Sequence, residues 1–249
     1  MERENYRKEP YVNKIMEEII QRMIDNPRNC PVLSDTSIRE YNSKGLLVES
    51  SIADHQIQPN SIDLTLGNTW KTLSSNISRK SFRYSQEWSH STLDSFEEYD
   101  QPIIDPRLPM KYEEGTFSTY TDHLNPGKET ELYVVHPRNF VLMSSSEILN
   151  IPNGIVGVLC ARTSIGRLGL QVELANFVDA GFRGTITFHI YNQSLYHPIL
   201  LFPGMRVAQV YFVKAQHAEL PYGEARESKY KDLVEVAESR LHLDREFKS

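Results

Sequence analysis

The chain has 249 residues, of which 39% are hydrophobic and 24% charged, an ordinary globular balance in a length that suits one large domain with extensions or two small ones. Its formal net charge of −6 argues against a domain whose main partner is nucleic acid, because such domains usually carry a net basic surface. Cys30 and Cys160 form no C-x-x-C pair, so neither a disulfide framework nor a cysteine zinc site is indicated; no apolar run approaches the ~18 residues of a spanning helix, the start MERENYRKEP is charged where a secretory signal turns apolar, and a cytoplasmic protein is expected.

In YVNKIMEEIIQRMIDNPRN, Val12, Ile15, Met16, Ile19, Ile20, Met23 and Ile24 recur at helical spacing and Pro27 ends the pattern. This predicts an amphipathic helix in an N-terminal extension. A second helix is predicted over LSDTSIREYNSKGLL: Ser34 or Asp35 can cap it, Ile38 and Tyr41 share a face, and Gly45 suits its C-terminal stop. From about Ser51 the pattern changes to short alternating or apolar runs, SIDLTL, ELYVVHP, NFVLMSSSEIL, GIVGVLCA, GTITFHIYN and RVAQVYFVKA, separated by Pro, Gly and Asn. Short strands at such spacing predict a mainly β protein, a barrel or jelly roll with a few peripheral helices. Ser74 to Asp100 has little period and reads as a surface excursion. The charged tail from Tyr222 reads as a mobile arm or a short helix.

Three stretches carry candidate chemistry. In ARTSIGRLGL, Arg162 and Arg167 supply guanidinium groups and Thr163 and Ser164 hydroxyls around a tight turn, a set that suits phosphate oxygens; a solvated loop has the same composition. In FVDAGFRG, Asp179 precedes a turn and the aromatic Phe182. A carboxylate there can orient a water or help hold a metal, although an isolated Asp before a glycine more often bonds its own turn. In GTITFHIYN, alternation puts Ile186, Phe188 and Ile190 on one face and Thr185, Thr187, His189 and Tyr191 on the other. His189 is a candidate proton shuttle or a structural ring.

These stretches, followed by LFPGMRVAQVYF and PYGEARESKY and preceded by QPNSIDLTLGNTW and LYVVHP, resemble the successive motifs of the dCTP deaminase branch of the dUTPase superfamily. The resemblance runs from about Leu33 to Tyr230. It implies three parts: an extension at 1–32, a distorted β-barrel or jelly-roll domain at 33–221 with an insertion near 74–100, and a C-terminal arm at 222–249. It further implies a homotrimer with sites at subunit interfaces, a pyrimidine deoxynucleoside triphosphate as substrate, and Mg²⁺ carried on the substrate's phosphates with no direct protein ligand. Arg162, Thr163, Ser164 and Arg167 fall on the family's phosphate-binding turn, Asp179 and Phe182 on the hairpin that cradles sugar and base, Thr187 beside them as a binding residue, and Tyr222 and Lys229 on the arm.

Two departures shape the expected function. Family deaminases carry, where this chain has His189, a glutamate that activates a water against C4 of cytosine. Leu233, Val234 and Glu235 replace the Gln-Gly that the family tends to show after its arm lysine. Hydrolysis at the α-phosphate needs groups that are retained, Asp179 with Arg162 and Arg167. The leading expectation is therefore hydrolysis of dUTP, or a related pyrimidine triphosphate, to the monophosphate and pyrophosphate, with Asp179, His189 and Arg167 as catalytic residues. The alternative is a dCTP deaminase that uses His189 in place of the glutamate, with or without further hydrolysis. A catalytically silent nucleotide-binding trimer is the third reading. Zinc-dependent base deamination is set aside, because that chemistry needs P-C-x-x-C alongside H-x-E and no P-C-x-x-C occurs in the sequence.

Overall fold

The structure is a computed structural model that describes residues 30–73, 106–122 and 124–248. The helix expected near residues 12–24 and the excursion at 74–100 lie outside the described residues. The second expected helix is present as α1 (Asp35–Asn42), capped by Ser34, whose hydroxyl accepts from the Ser37 N–H. A cap of this kind satisfies one of the orphan amides of a first turn. Ile38 on its inner face is fully buried.

Thirteen strands follow: β1 (Leu47–Val48), β2 (Ile57–Gln58), β3 (Ser61–Leu73), β4 (Tyr112–Thr116), β5 (Ser118–Thr121), β6 (Glu129–Val135), β7 (Phe140–Asn150), β8 (Ile155–Ala161), β9 (Leu170–Glu173), β10 (Phe177–Val178), β11 (Arg183–Asn192), β12 (Ile199–Leu201) and β13 (Arg206–Lys214). A one-turn helix, α2 (Thr163–Gly166), joins β8 to β9. Each expected strand run is found, and the strands pair antiparallel throughout.

The strand order β10-β8-β13-β3-β7-β11-β9 places β9 and β10 at opposite ends of the main path, yet residues 174–176 alone connect them. Laid flat, seven strands would hold those edges about 29 Å apart, whereas three linking residues reach about 14 Å. The sheet must therefore curl until its two ends face each other across a seam. The result is a curled antiparallel half-barrel, in line with the distorted barrel expected from the sequence. Ile62, Leu64, Leu66, Met143, Phe188, Ile190, Val210 and Phe212 fill its interior.

The buried polar groups are satisfied. Glu147 is 3% exposed; its carboxylate accepts from the Thr65 N–H (2.9 Å), the Thr65 hydroxyl (2.6 Å) and the Gln56 amide (2.7 Å). A bulge in β11 between Thr185 and Thr187 frees the Ile186 N–H from the ladder, and Ser145 Oγ accepts from it at 2.9 Å.

The tail departs from the expected mobile arm, and of the expected short helix it holds three single 3-10 turns, Glu224–Arg226, Leu241–Leu243 and Arg245–Phe247. It is docked on β11: the Asp232 N–H donates to Arg183 O (2.7 Å), the Thr185 N–H donates to Leu233 O (2.8 Å), and Val236 is buried. Two glycines make that docking possible. Gly181 and Gly184 both have positive φ, +91° and +147°. A Cβ on Gly181 would lie 2.8 Å from Pro221 Cβ, and one on Gly184 2.6 Å from Leu233 O.

Candidate active site

The seam of the curled sheet is where the candidate residues meet. Asp179 starts a four-residue turn closed by the Phe182 N–H donating to Asp179 O (3.1 Å), with Gly181 supplying the positive φ that the third position of such a turn requires. That turn delivers the chain into β11. Strand alternation then points Thr185, Thr187 and His189 outward while Ile186, Phe188 and Ile190 enter the core.

Asp179, Phe182, Thr187, His189 and Tyr222 line one cleft of about 490 Å³, together with Phe140, Leu142, Phe177 and, from the arm, Tyr230, Leu233, Ala237 and Glu238. Five expected residues are thus brought together. Phe182 is half-buried, its ring packing at 5.7 Å on that of Tyr222. Thr187 Oγ1 accepts from the Ala237 N–H (3.0 Å), which ties the arm to the cleft floor. His189 is exposed toward the cleft and stands edge-on to Phe140, 6.2 Å between ring centroids. Burial by these neighbours holds the imidazole below its usual proton affinity, and the Glu173 charge offsets part of that effect. Burial pushes the Tyr222 phenol up, so it remains a neutral donor; its oxygen accepts from the Tyr230 N–H at 3.2 Å.

A second cavity, of about 1040 Å³, adjoins the first. Arg226, Lys229, Arg240, Arg245 and Lys248 line it, against Asp179, Glu227 and Asp244. Phe177, Asp179, Tyr222 and Tyr230 belong to both cavities. Asp179 therefore stands between an aromatic, mostly apolar cleft and a basic vestibule. Lys229 is in the vestibule, where its ammonium pairs with Asp244 and lies 5.8 Å from the centre of the Tyr230 ring.

The expected phosphate turn is not with them. Thr163, Ser164 and Arg167 are exposed on or beside α2 and line neither cavity. Arg162 turns inward: its Nε lies 3.6 Å from the carboxylate of Asp63, and its Nη1 donates to Arg206 O at 3.2 Å. In a single chain the two halves of the expected site are apart. Among the described residues, no three His, Cys, Asp or Glu side chains come together as a metal cage, and Asp179 is a single carboxylate whose donor set fits an ion held mainly by phosphate oxygens.

Sequence reasoning missed Tyr112, Phe177, Tyr230 and Glu238 at the cleft and Asp63 beneath Arg162. Tyr222 and Tyr230 lie eight residues apart in irregular chain, where no helix or strand period exposes a shared face. Asp63 carried a usable signal, a lone carboxylate inside the apolar run SIDLTL, which calls for a buried cation.

A family profile described as dCTP deaminase-like matches residues 32–215. A protein of Methanobrevibacter smithii named dCTP deaminase, dUMP-forming, is 34% identical over 221 residues, covering 87% of this chain and 98% of its own. One of the same name from Sulfurihydrogenibium sp. is 34% identical over 217 residues, covering 86% and 99%. In fold, the chain is similar to the crystal structure of 2′-deoxycytidine 5′-triphosphate deaminase from Agrobacterium tumefaciens, with a TM-score of 0.50 and 18% identity over 74% of this chain. The similarity spans about half (48%) of that structure's chain. These names favour the deaminating alternative over hydrolysis alone. Because the match spans the turn after β8, the seam and the strand bearing His189, the chain belongs to the dCTP deaminase-like family.

Proposed function

We propose that this protein converts dCTP to dUMP in two steps, releasing ammonia from the base and then pyrophosphate from the phosphate chain. The observation that carries this reading is the position of Asp179 at the junction of the aromatic cleft and the basic vestibule. A nucleoside in the cleft with its phosphates in the vestibule brings the α-phosphorus beside that carboxylate. The similarity to relatives named as dUMP-forming deaminases supports the pairing of two reactions in one chain.

In the first step a water oxygen adds to C4 of cytosine while its proton passes to the neutral His189 ring and from there to N3. The hydroxyl proton of the adduct then passes through the same ring to the amino group. The C4–N bond breaks, ammonia leaves with the electron pair, and C4 becomes a carbonyl. General acid–base assistance of this kind is worth roughly 10² to 10⁴ in rate, and a half-exposed imidazole kept neutral by burial is poised to give it. In the second step Asp179 orients a water for attack on the α-phosphorus, and pyrophosphate departs. Mg²⁺ bound to the phosphates would neutralise charge that builds on them. Lys229 and Arg240 hold the chain in the vestibule. Arg162, Thr163, Ser164 and Arg167 reach a site only from a neighbouring subunit, so the reading includes a homotrimer with shared sites.

The test is turnover of dCTP, dUTP and dTTP with Mg²⁺, measuring ammonia, pyrophosphate and monophosphate separately. The expected result is stoichiometric ammonia and pyrophosphate from dCTP. D179N should accumulate dUTP with ammonia release retained. Pyrophosphate from dUTP with no ammonia from dCTP would instead select the hydrolase reading, which the presence of His189 where the family has a glutamate favours.

A further inference from the structure

A carboxylate outside the cleft stands opposite His189 in the strand register. β9 pairs with β11 so that His189 is directly opposite Glu173. Directly opposed residues of an antiparallel pair project on the same face with Cβ atoms about 4.5–5.5 Å apart. Glu173 is exposed and is not among the cleft-lining residues, so it neighbours His189 across the ladder from outside the cleft. One of its oxygens is already held: Gln171 Nε2 donates to Glu173 Oε1 at 2.5 Å, and Gln171 in turn accepts from Gln193 Nε2. The amide ladder fixes the carboxylate and leaves its second oxygen for the ring.

Resting on the deaminase reading above, we propose that Glu173 is the positioning residue of a cross-strand Glu–His pair, which together replaces the single glutamate that the family uses at position 189. A neutral imidazole has one donor and one acceptor nitrogen. A carboxylate behind the ring takes the donor, which fixes the tautomer and turns the acceptor nitrogen toward the water. When the water's proton arrives, the imidazolium forms opposite a fixed negative charge. When the proton leaves for the base, the ring returns to neutral, and no net charge is created in the pair. Acid–base hydrogen bonds of this kind commonly tighten only in the loaded complex.

The surroundings single out Glu173. β7 presents Leu142 opposite His189, and Phe140 beside it. The other ionisable groups along the cleft are Tyr112, Asp179, Tyr222, Tyr230 and Glu238, and Glu173 is the charge that raises the proton affinity of His189 against burial.

The test compares wild type, E173Q, H189E and the double variant E173Q/H189E, with ammonia from dCTP and pyrophosphate from dUTP read separately. E173Q is expected to lower ammonia release by roughly 10- to 100-fold, to change pyrophosphate release far less, and to move the acidic limb of kcat/KM for deamination to lower pH. H189E alone sets two carboxylates directly opposite each other, an unfavourable pair, so the double variant is expected to deaminate faster than H189E. Wild-type ammonia release that E173Q leaves unchanged, or an equal fall of both activities with the pH limb unmoved, overturns the pair and leaves the deaminase reading standing. Pyrophosphate from dUTP with no ammonia from wild-type dCTP turnover is the distinct result that removes the reading itself, and the pair's task with it.

Discussion

Arg206 Nη1 lies 2.9 Å from Oδ2 of Asp63, a carboxylate that is 3% exposed, and this pair organises the start of the turn that carries α2. The other oxygen of Asp63 faces Arg162 Nε at 3.6 Å, and Arg162 also donates to the Arg206 carbonyl. One buried anion thus sits between two cations from β13 and from the residue that precedes α2.

Asp63→Asn keeps the shape and removes the charge. Breaking a buried ion pair by deleting one partner costs about 3–5 kcal/mol, because the remaining charge stays buried; here both arginines are about one-third exposed, so a loss of roughly 2–3 kcal/mol is expected. A urea midpoint shift at unchanged m measures it. The same variant should raise KM for the triphosphate, since Arg162 no longer has a fixed anchor. An unchanged midpoint would show that Asp63 is dispensable.

The strands that carry the seam were legible because their sequences alternate over many residues: β11 has Ile186, Phe188 and Ile190 buried and His189 open, as the period of two requires. β9 and β10 were not, since four and two residues are too short to show a period. Asp179, Phe182, Thr187, His189 and Tyr222 were found through motif order and do share one cleft. Glu173 was invisible, because its meaning comes from a register between strands sixteen positions apart, and register is set by tertiary packing. The docking of the arm was equally hidden: Val236 sits in a charged stretch with no pattern, and its burial depends on Gly184 giving way on another element.

Gly184→Ala tests that docking. The added Cβ would meet Leu233 O at 2.6 Å, and φ of +147° is strained for any residue with a side chain. The Thr185–Leu233 hydrogen bond and the parallel bridge between Gly184 and Leu233 should be lost, and with them the arm's cover over the cleft. The expected outcome is faster proteolytic cleavage after residue 230 and a roughly tenfold rise in KM, which corresponds to about 1.4 kcal/mol of lost binding. Cleavage at the wild-type rate would mean that the arm is held by other contacts.

Glu147→Gln tests the buried carboxylate. Its two oxygens accept three hydrogen bonds from Thr65 and Gln56, and an amide can offer only one oxygen to those donors. Whichever way it is turned, an N–H₂ meets a donor, and an unsatisfied buried group costs about 1–3 kcal/mol. At about 2–4 °C per kcal/mol for a chain of this size, Tm should fall by several degrees. Glu147 touches neither cavity, so kcat at low temperature should stay near that of wild type.

His189 makes both stability and activity depend on pH, with the same sign. Burial lowers its folded proton affinity below the usual value of 6.5, while in the unfolded chain the ring titrates near that value. As pH falls through 6.5 toward the folded value, the unfolded chain takes up the proton first, so this group costs stability on acidification; above 6.5 both states are neutral and it contributes no pH dependence. In the proposed deamination the neutral ring is also the form that accepts the water's proton, so that activity should persist below pH 6.5 before its acidic limb sets in. H189Q should lower ammonia release by roughly 10²- to 10⁴-fold and shrink the loss of urea midpoint between about pH 7.5 and about pH 5.5. Titration of the wild-type imidazole by NMR checks the sign directly. A midpoint above 6.5 would mean that Glu173 outweighs burial and would place the acidic limb at higher pH, with stability then gained on acidification across that window.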